Sequence, residues 1–237
     1  MKNTRGISGK RIFFIIIGLV VLVFAARHLW LYYARTVVEQ GKIAYDQRDY
    51  DLAISSYTRA NKLIFDKEQR ASNLLWRGRA YYYGKDDFDM AIADFTKAIE
   101  LHPNYVAYYL WRGRAYQQKM EYDSAIADFT KAIELDSDYD NFIERGDVYV
   151  DKGDYALAIL DYNQAIAGID AAIARRLEWN EDNKDLYQRR DEVVAQRNYV
   201  ERLNNPVTTD DNNPRKSARD ILSEMVKEYL ENKTKEQ

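Results

Sequence analysis

The chain has no cysteine, only two histidines (His28 and His102) and only three prolines in 237 residues. Without cysteine there can be no disulfide, thiolate metal site, cysteine nucleophile or thiol-linked lipid, and the redox compartment stays open. Two isolated histidines make no paired metal motif. Also missing are a phosphate-cradling glycine loop, a nucleophile with a neighbouring base, and any cluster of metal ligands. The chain is therefore read as a non-enzyme with no cofactor and no metal. A formal net charge of -3 gives neither a polycationic surface for nucleic acid nor an acidic tail. No stretch alternates apolar and polar residues for long enough to be a strand. Few prolines and many tyrosines suit packed helices with short connections, in one or two domains, so the fold class is all-α.

The N-terminus carries the longest apolar run. Lys2, Arg5, Lys10 and Arg11 precede apolar residues 12–26, and after Arg27 and His28 the apolar character resumes at Leu29, Trp30, Leu31, Tyr32 and Tyr33. Fifteen residues rise only about 22 Å as a helix, short of the roughly 30 Å hydrocarbon core. Counting through residue 33 makes the segment long enough, with Trp30, Tyr32 and Tyr33 as interfacial aromatics. Val23, Phe24 and Ala25 would also permit signal cleavage. Because apolar residues continue past that point, the reading is a basic N-terminus (1–11) and a retained signal-anchor helix (12–33). Four basic residues in the first eleven put the N-terminus in the cytoplasm and the rest outside it. With no Gly or Pro in residues 19–40, the membrane helix can run on into the remainder of the chain.

From residue 34 onward the chain repeats itself. Ala91-Ile92-Ala93-Asp94-Phe95-Thr96-Lys97-Ala98-Ile99-Glu100-Leu101 returns as Ala125-Ile126-Ala127-Asp128-Phe129-Thr130-Lys131-Ala132-Ile133-Glu134-Leu135, and Trp76-Arg77-Gly78-Arg79-Ala80-Tyr81 returns as Trp111-Arg112-Gly113-Arg114-Ala115-Tyr116. Four units align on Gly41, Gly78, Gly113 and Gly146. Each continues to an alanine (Ala53, Ala91, Ala125, Ala158), an aromatic (Tyr57, Phe95, Phe129, Tyr162) and a second small residue (Ala60, Ala98, Ala132, Ala165). A period near 34 with this pattern resembles the tetratricopeptide repeat (TPR). The resemblance implies an α-solenoid of helix-turn-helix units, at about 34–67, 71–104, 105–137 and 138–168, in a right-handed superhelix with a concave face. Spacings of three, four and seven put the small and aromatic residues on one helical face, which a single unit cannot bury alone.

Two sets of polar residues stand out. Arg77, Arg112 and Arg145 directly precede their glycines, where leucine is usual in the family, and Asp94, Asp128 and Asp161 lie three residues after their alanines. The first unit has Gln40 and Ser56 at those places, so both charges vanish together. This co-occurrence predicts an Arg–Asp pair within each of units two to four. The second set comes from the resemblance, in which ligands lie along the concave face built from the first helices. On that face fall Lys42, Leu75, Arg79, Tyr82, Leu110, Arg114 and Gln117, a partly basic groove suited to an extended peptide with an acidic group, or to a folded partner. Chaperone-binding members of the family clamp a C-terminal carboxylate with lysine and asparagine, and arginine stands at the asparagine places of units two and three here. Trp76 and Trp111 read as packing residues.

After the array, residues 169–204 continue as capping helices with a thin stripe of Leu186, Val193, Val194 and Val200. Residues 205–216 are a polar linker. Residues 217–237 form an amphipathic helix whose Leu222, Met225, Val226 and Tyr229 offer a second interaction surface, for this chain's own array, a partner or a second copy. The whole reads as a membrane-anchored scaffold for protein partners, serving assembly of a bacterial envelope complex. The alternatives are an organelle-surface targeting receptor with a cytosolic array and an accessory subunit of a membrane enzyme.

Overall fold

A computed structural model describes residues 9–178 and 183–204. Among them are nine helices and no strand: α1 (Gly9–Asp46), α2 (Tyr50–Leu63), α3 (Lys67–Gly84), α4 (Phe88–Leu101), α5 (Val106–Gln118), α6 (Tyr122–Leu135), α7 (Tyr139–Lys152), α8 (Tyr155–Glu178) and α9 (Lys184–Asn204). They form two compact units divided between Asp86 and Asp87, with α1–α3 in the first and α4–α9 in the second. Within each unit every helix packs on the next in sequence. The linker and the amphipathic segment with Leu222, Met225, Val226 and Tyr229 lie outside the described residues.

In the first unit, α1 is continuous from the apolar segment into the first repeat. Its described side chains from Phe14 to Tyr33 are exposed, whereas Ala34 and Val37 are buried. By length and composition α1 could cross a membrane. Its last turns close on α2 and α3 around Ala44, Ala53, Tyr57 and Ala80, edged by Val38, Tyr45, Tyr50 and Trp76. The repeated glycine explains how closely these helices meet. A Cβ on Gly41 would stand 3.1 Å from the Tyr57 ring, so the aromatic lies against bare backbone. The same contact recurs in the second unit between Gly113 and Phe129 (3.1 Å) and between Gly146 and Tyr162 (2.9 Å).

The turns inside the repeats share one geometry. Arg48, Asp86, Met120 and Gly153 all have positive φ (61°, 49°, 59° and 89°), and only the last is a glycine. The next amide returns to a carbonyl of the preceding helix, Asp49 to Ala44 (2.8 Å), Glu121 to Tyr116 (2.9 Å) and Asp154 to Tyr149 (2.8 Å), which satisfies the helix end. Asp49 and Asp87 then cap α2 and α4 by accepting from the amides of Leu52 and Met90, both at 3.0 Å.

At the far end of the second unit α8 runs 24 residues, past the length of its counterparts. The last helix, α9, lays Leu186, Val193 and Val200, spaced by sevens, onto Ile143, Tyr162, Ala165, Ile169 and Ile173. Val194 is only half-buried. This apolar stripe shields the last repeat from water, as a solenoid end requires.

Candidate functional site

The charged residues of the repeats divide between two systems, one between the helices and one on the face of the first helices. The inner system centres on the arginines before the glycines. In the second unit Arg112 donates through Nε and Nη2 to the two carboxylate oxygens of Asp128, at 2.8 and 2.7 Å. Arg145 does the same to Asp161, at 2.8 Å for both bonds. Both carboxylates are almost fully buried, at 4% and 2% exposure. Burial pushes the Asp128 carboxyl above the usual carboxylate range, and the Arg112 hydrogen bonds pull the other way without cancelling it. Arg77 belongs to the first unit and Asp94 to the second, and their pairing rests on the repeat pattern alone.

Each arginine has a further partner that the sequence pattern does not single out. The Nη1 of Arg112 donates to Thr96 Oγ1 at 3.1 Å, and that of Arg145 to Thr130 Oγ1 at 2.9 Å. In the first unit Arg77 reaches Thr58 at 2.9 Å in the same way. Every arginine thus ties its helix to the second helix of the preceding repeat, and in the second unit also to that of its own. The helix geometry accounts for the division of labour. Asp128 and Thr130 lie two residues apart on α6, roughly 200° around the axis, so one faces α5 and the other α7. The final helix continues the series, with Arg197 reaching Asn163 Oδ1 at 3.4 Å in the threonine place of the last repeat. A signal for these partners is present in the recurring Asp-Phe-Thr and in Tyr57-Thr58.

The outer system is the face of the first helices, to which the family resemblance assigns partner binding. In the first unit Arg79 stacks over the Trp76 ring at 4.4 Å and the Tyr45 ring at 5.2 Å. Tyr45 and Trp76 meet edge to face at 5.2 Å. Burial raises the pKa of the Tyr45 hydroxyl, opposed by Arg79. Lys42 is exposed, Leu75 is buried, and Tyr82 is half-buried against the Tyr83 ring at 5.0 Å.

In the second unit the corresponding positions are already tied together. Arg114 forms a two-point ion pair with Glu144 of α7, through Nη2 to Oε1 and through Nε to Oε2 at 3.1 Å, while stacking over Trp111 at 4.7 Å. Gln117 donates to Asp151 Oδ2 at 2.7 Å. Leu110 packs on the core formed by Ala125, Phe129 and Val148. The aspartate after the fourth repeat glycine, Asp147, accepts from the Tyr162 hydroxyl at 2.7 Å, and Arg189 of α9 holds Asp140 at 2.8 Å. The face is therefore a lattice of aromatic and charged side chains that sets α5, α7 and α9 in fixed register. Both tryptophans act here as platforms for arginine. Glu144 stands two residues before its glycine, where Trp76 and Trp111 stand in earlier repeats, and that change of residue type marks it as the partner of the arginine one unit back.

Among the described residues no group of three or more His, Asp or Glu could hold a metal ion. The polar groups on this face are suited to recognising another chain through charge, hydrogen bonds and ring stacking.

Comparison with known proteins agrees with this architecture. Tetratricopeptide repeat family models match residues 72–105, 106–139 and 140–167 in succession. A crystal structure of MamA has 21% identity and a TM-score of 0.56, covering 82% of this chain and 96% of that one. MamA from Desulfovibrio magneticus RS-1 has 17% identity and a TM-score of 0.53, covering 58% and 76%. The TPR domain of Arabidopsis OM64 has 27% identity and a TM-score of 0.46, covering 50% and 96%. The likeness to MamA is one of fold. Residues 72–167 are three consecutive tetratricopeptide repeats, so over that stretch the chain is a tetratricopeptide repeat protein.

Proposed function

We propose that this chain is a membrane-anchored scaffold that holds protein partners along the face of its first helices, outside the cytoplasm, in the assembly of a bacterial envelope complex. The observation that carries the reading is α1. One uninterrupted helix exposes apolar side chains over its first part and becomes the first helix of the repeat array over its last. A helix of that kind couples the array to a bilayer without a flexible joint. Four basic residues before the apolar segment favour a cytoplasmic N-terminus. On the partner side, Arg79 on its aromatic platform and exposed Lys42 offer an acidic, extended segment charge and stacking at one place. An incoming carboxylate at Arg114 competes with Glu144.

The absence of cysteine makes the test clean. A single cysteine replaces Gln47, which is exposed in the turn between α1 and α2, and cells with only the outermost barrier opened are treated with a membrane-impermeant maleimide. Labelling of a protein that keeps its full mass and stays with the membrane fits the proposal. Labelling only after the inner membrane is broken turns the array to the cytosol and favours a targeting receptor. A shortened mass shows a cleaved signal. Charge reversal at Arg79 should weaken capture of an acidic partner segment, and unchanged capture moves the binding surface elsewhere.

A further inference from the structure

The loop between α2 and α3 is placed, by α1 itself, at the level where a bilayer would end. Starting at Ile12, about 20 helical residues are needed to cross roughly 30 Å of hydrocarbon, which brings the far boundary to Leu31. One residue earlier, Trp30 donates its indole Nε1–H to the carbonyl oxygen of Leu63 at 3.1 Å, the last residue of α2. That carbonyl is among those the helix end leaves without an intrahelical partner, so the bond both caps α2 and pins its end beside Trp30. The next two residues are Ile64, half-buried, and Phe65, whose side chain is 84% exposed. Array packing begins just beyond, at Ala34.

We infer that the loop carrying Phe65 is a second membrane contact, with the Phe65 ring seated in the interfacial layer of the leaflet that α1 leaves. The inference rests on the reading of α1 as a retained membrane helix. Three observations select lipid as the occupant. The loop is fixed to the side of the very helix that would cross the bilayer, and at its exit level. Trp30, Tyr32 and Tyr33 are exposed at this level of α1, the residue types that favour the membrane–water boundary. Exposed Lys62 and Lys67 flank the loop and are balanced by Asp66 and Glu68, so the contact is an apolar insertion with little dependence on anionic headgroups. The consequence is geometric. A repeat unit held to the bilayer by one helix can swing about its exit point, whereas a unit held by a helix and a loop keeps its first-helix face at a set angle to the membrane.

Single cysteines at Phe65, Gln47 and Ile17 in the otherwise cysteine-free full chain, each carrying a nitroxide, test this in vesicles of zwitterionic phosphatidylcholine. Gln47 lies 17 residues beyond Trp30, about 25 Å farther along the helix axis, and Ile17 lies within the apolar segment. The expected result is that the label at position 65 collides several-fold less often with an aqueous nickel complex, and more often with oxygen, than the label at 47. The label at 17 should report the hydrocarbon interior. Equal nickel accessibility at 65 and 47, with position 17 in hydrocarbon, overturns the contact and leaves the anchor standing. An aqueous label at position 17 overturns the anchor reading and the loop contact with it. A contact that forms only when anionic lipid is added overturns the apolar mechanism.

Discussion

Removing the carboxylate of Asp128 tests the inner polar system most directly. The side chain is 6% exposed and takes two short hydrogen bonds from Arg112, whose own side chain is 18% exposed. Asp128→Ala leaves that guanidinium between α4, α5 and α6 with Thr96 but without its counter-charge. Stranding one member of a buried pair costs about 3–5 kcal/mol. For a folded body of this size, that corresponds to roughly 6–20 °C in Tm. The intact pair is a different quantity. Burial raises the Asp128 pKa and opposes ionising that carboxyl inside the fold, while at Arg112 burial is outweighed by the hydrogen bond to Asp128, which raises the pKa and favours the charge. The two effects offset, and the pair adds little net stability. Replacing both partners with leucine, as in Arg112→Leu with Asp128→Leu, should therefore cost much less than Asp128→Ala alone. The assay is urea unfolding of the full chain in detergent, followed by helical circular dichroism. Lys131→Ala is the control, since Lys131 pairs with Glu134 on the exposed side of the same helix. Equal midpoints for Asp128→Ala and Lys131→Ala, or a double variant as unstable as the single one, would refute the reasoning.

The same packing sets three further outcomes. Burial, then the neighbouring Asp147, raises the pKa of Tyr162, so its stabilising contribution is complete below the ordinary tyrosine value near 10 and is lost as pH climbs beyond it. Tyr162→Phe should flatten the alkaline fall in urea midpoint and, by losing a hydrogen bond to a carboxylate, cost about 1.5–3 kcal/mol at neutral pH; an unchanged alkaline slope counts against it. Met120 holds a left-handed conformation that costs a side-chain-bearing residue about 1–2 kcal/mol, so Met120→Gly should gain up to about 1 kcal/mol after the glycine entropy cost, while Gly153→Ala should lose about 1 kcal/mol. Both are read from denaturation midpoints, and shifts of the opposite sign would contradict the shared turn geometry. Val193→Asp places a charge in the fully buried seam between α9 and the last repeat, and should release α9 as rapid amide exchange over residues 184–204. Continued protection there would show that α9 is held by something other than its apolar stripe.

Much of the fold was legible because a repeat repeats its physics. Gly41, Gly113 and Gly146 recur where an aromatic must touch backbone, and small residues recur where helices meet, so four units align without any structure. The Arg–Asp pattern was readable for a sharper reason: both charges are missing from the first unit together, as residues bound to each other would be. The N-terminal helix was legible from its long apolar run, which α1 carries on without a break into the first repeat.

Other features were decided in space. Thr96 and Thr130 look like ordinary helix-surface residues until the stacking register brings the next repeat's arginine against them. Arg114 and Gln117 read as an open basic groove, yet α7 presents Glu144 and Asp151 at bonding distance, a choice among many plausible charges that only packing makes. Likewise, nothing in the order of residues connects Trp30 to Leu63, 33 positions apart. Sequence periodicity determined which residues share a helix face, because that follows from 3.6 residues per turn. Tertiary structure decided which faces meet, and at what height along α1, because those depend on how rigid helices slide and lock against one another.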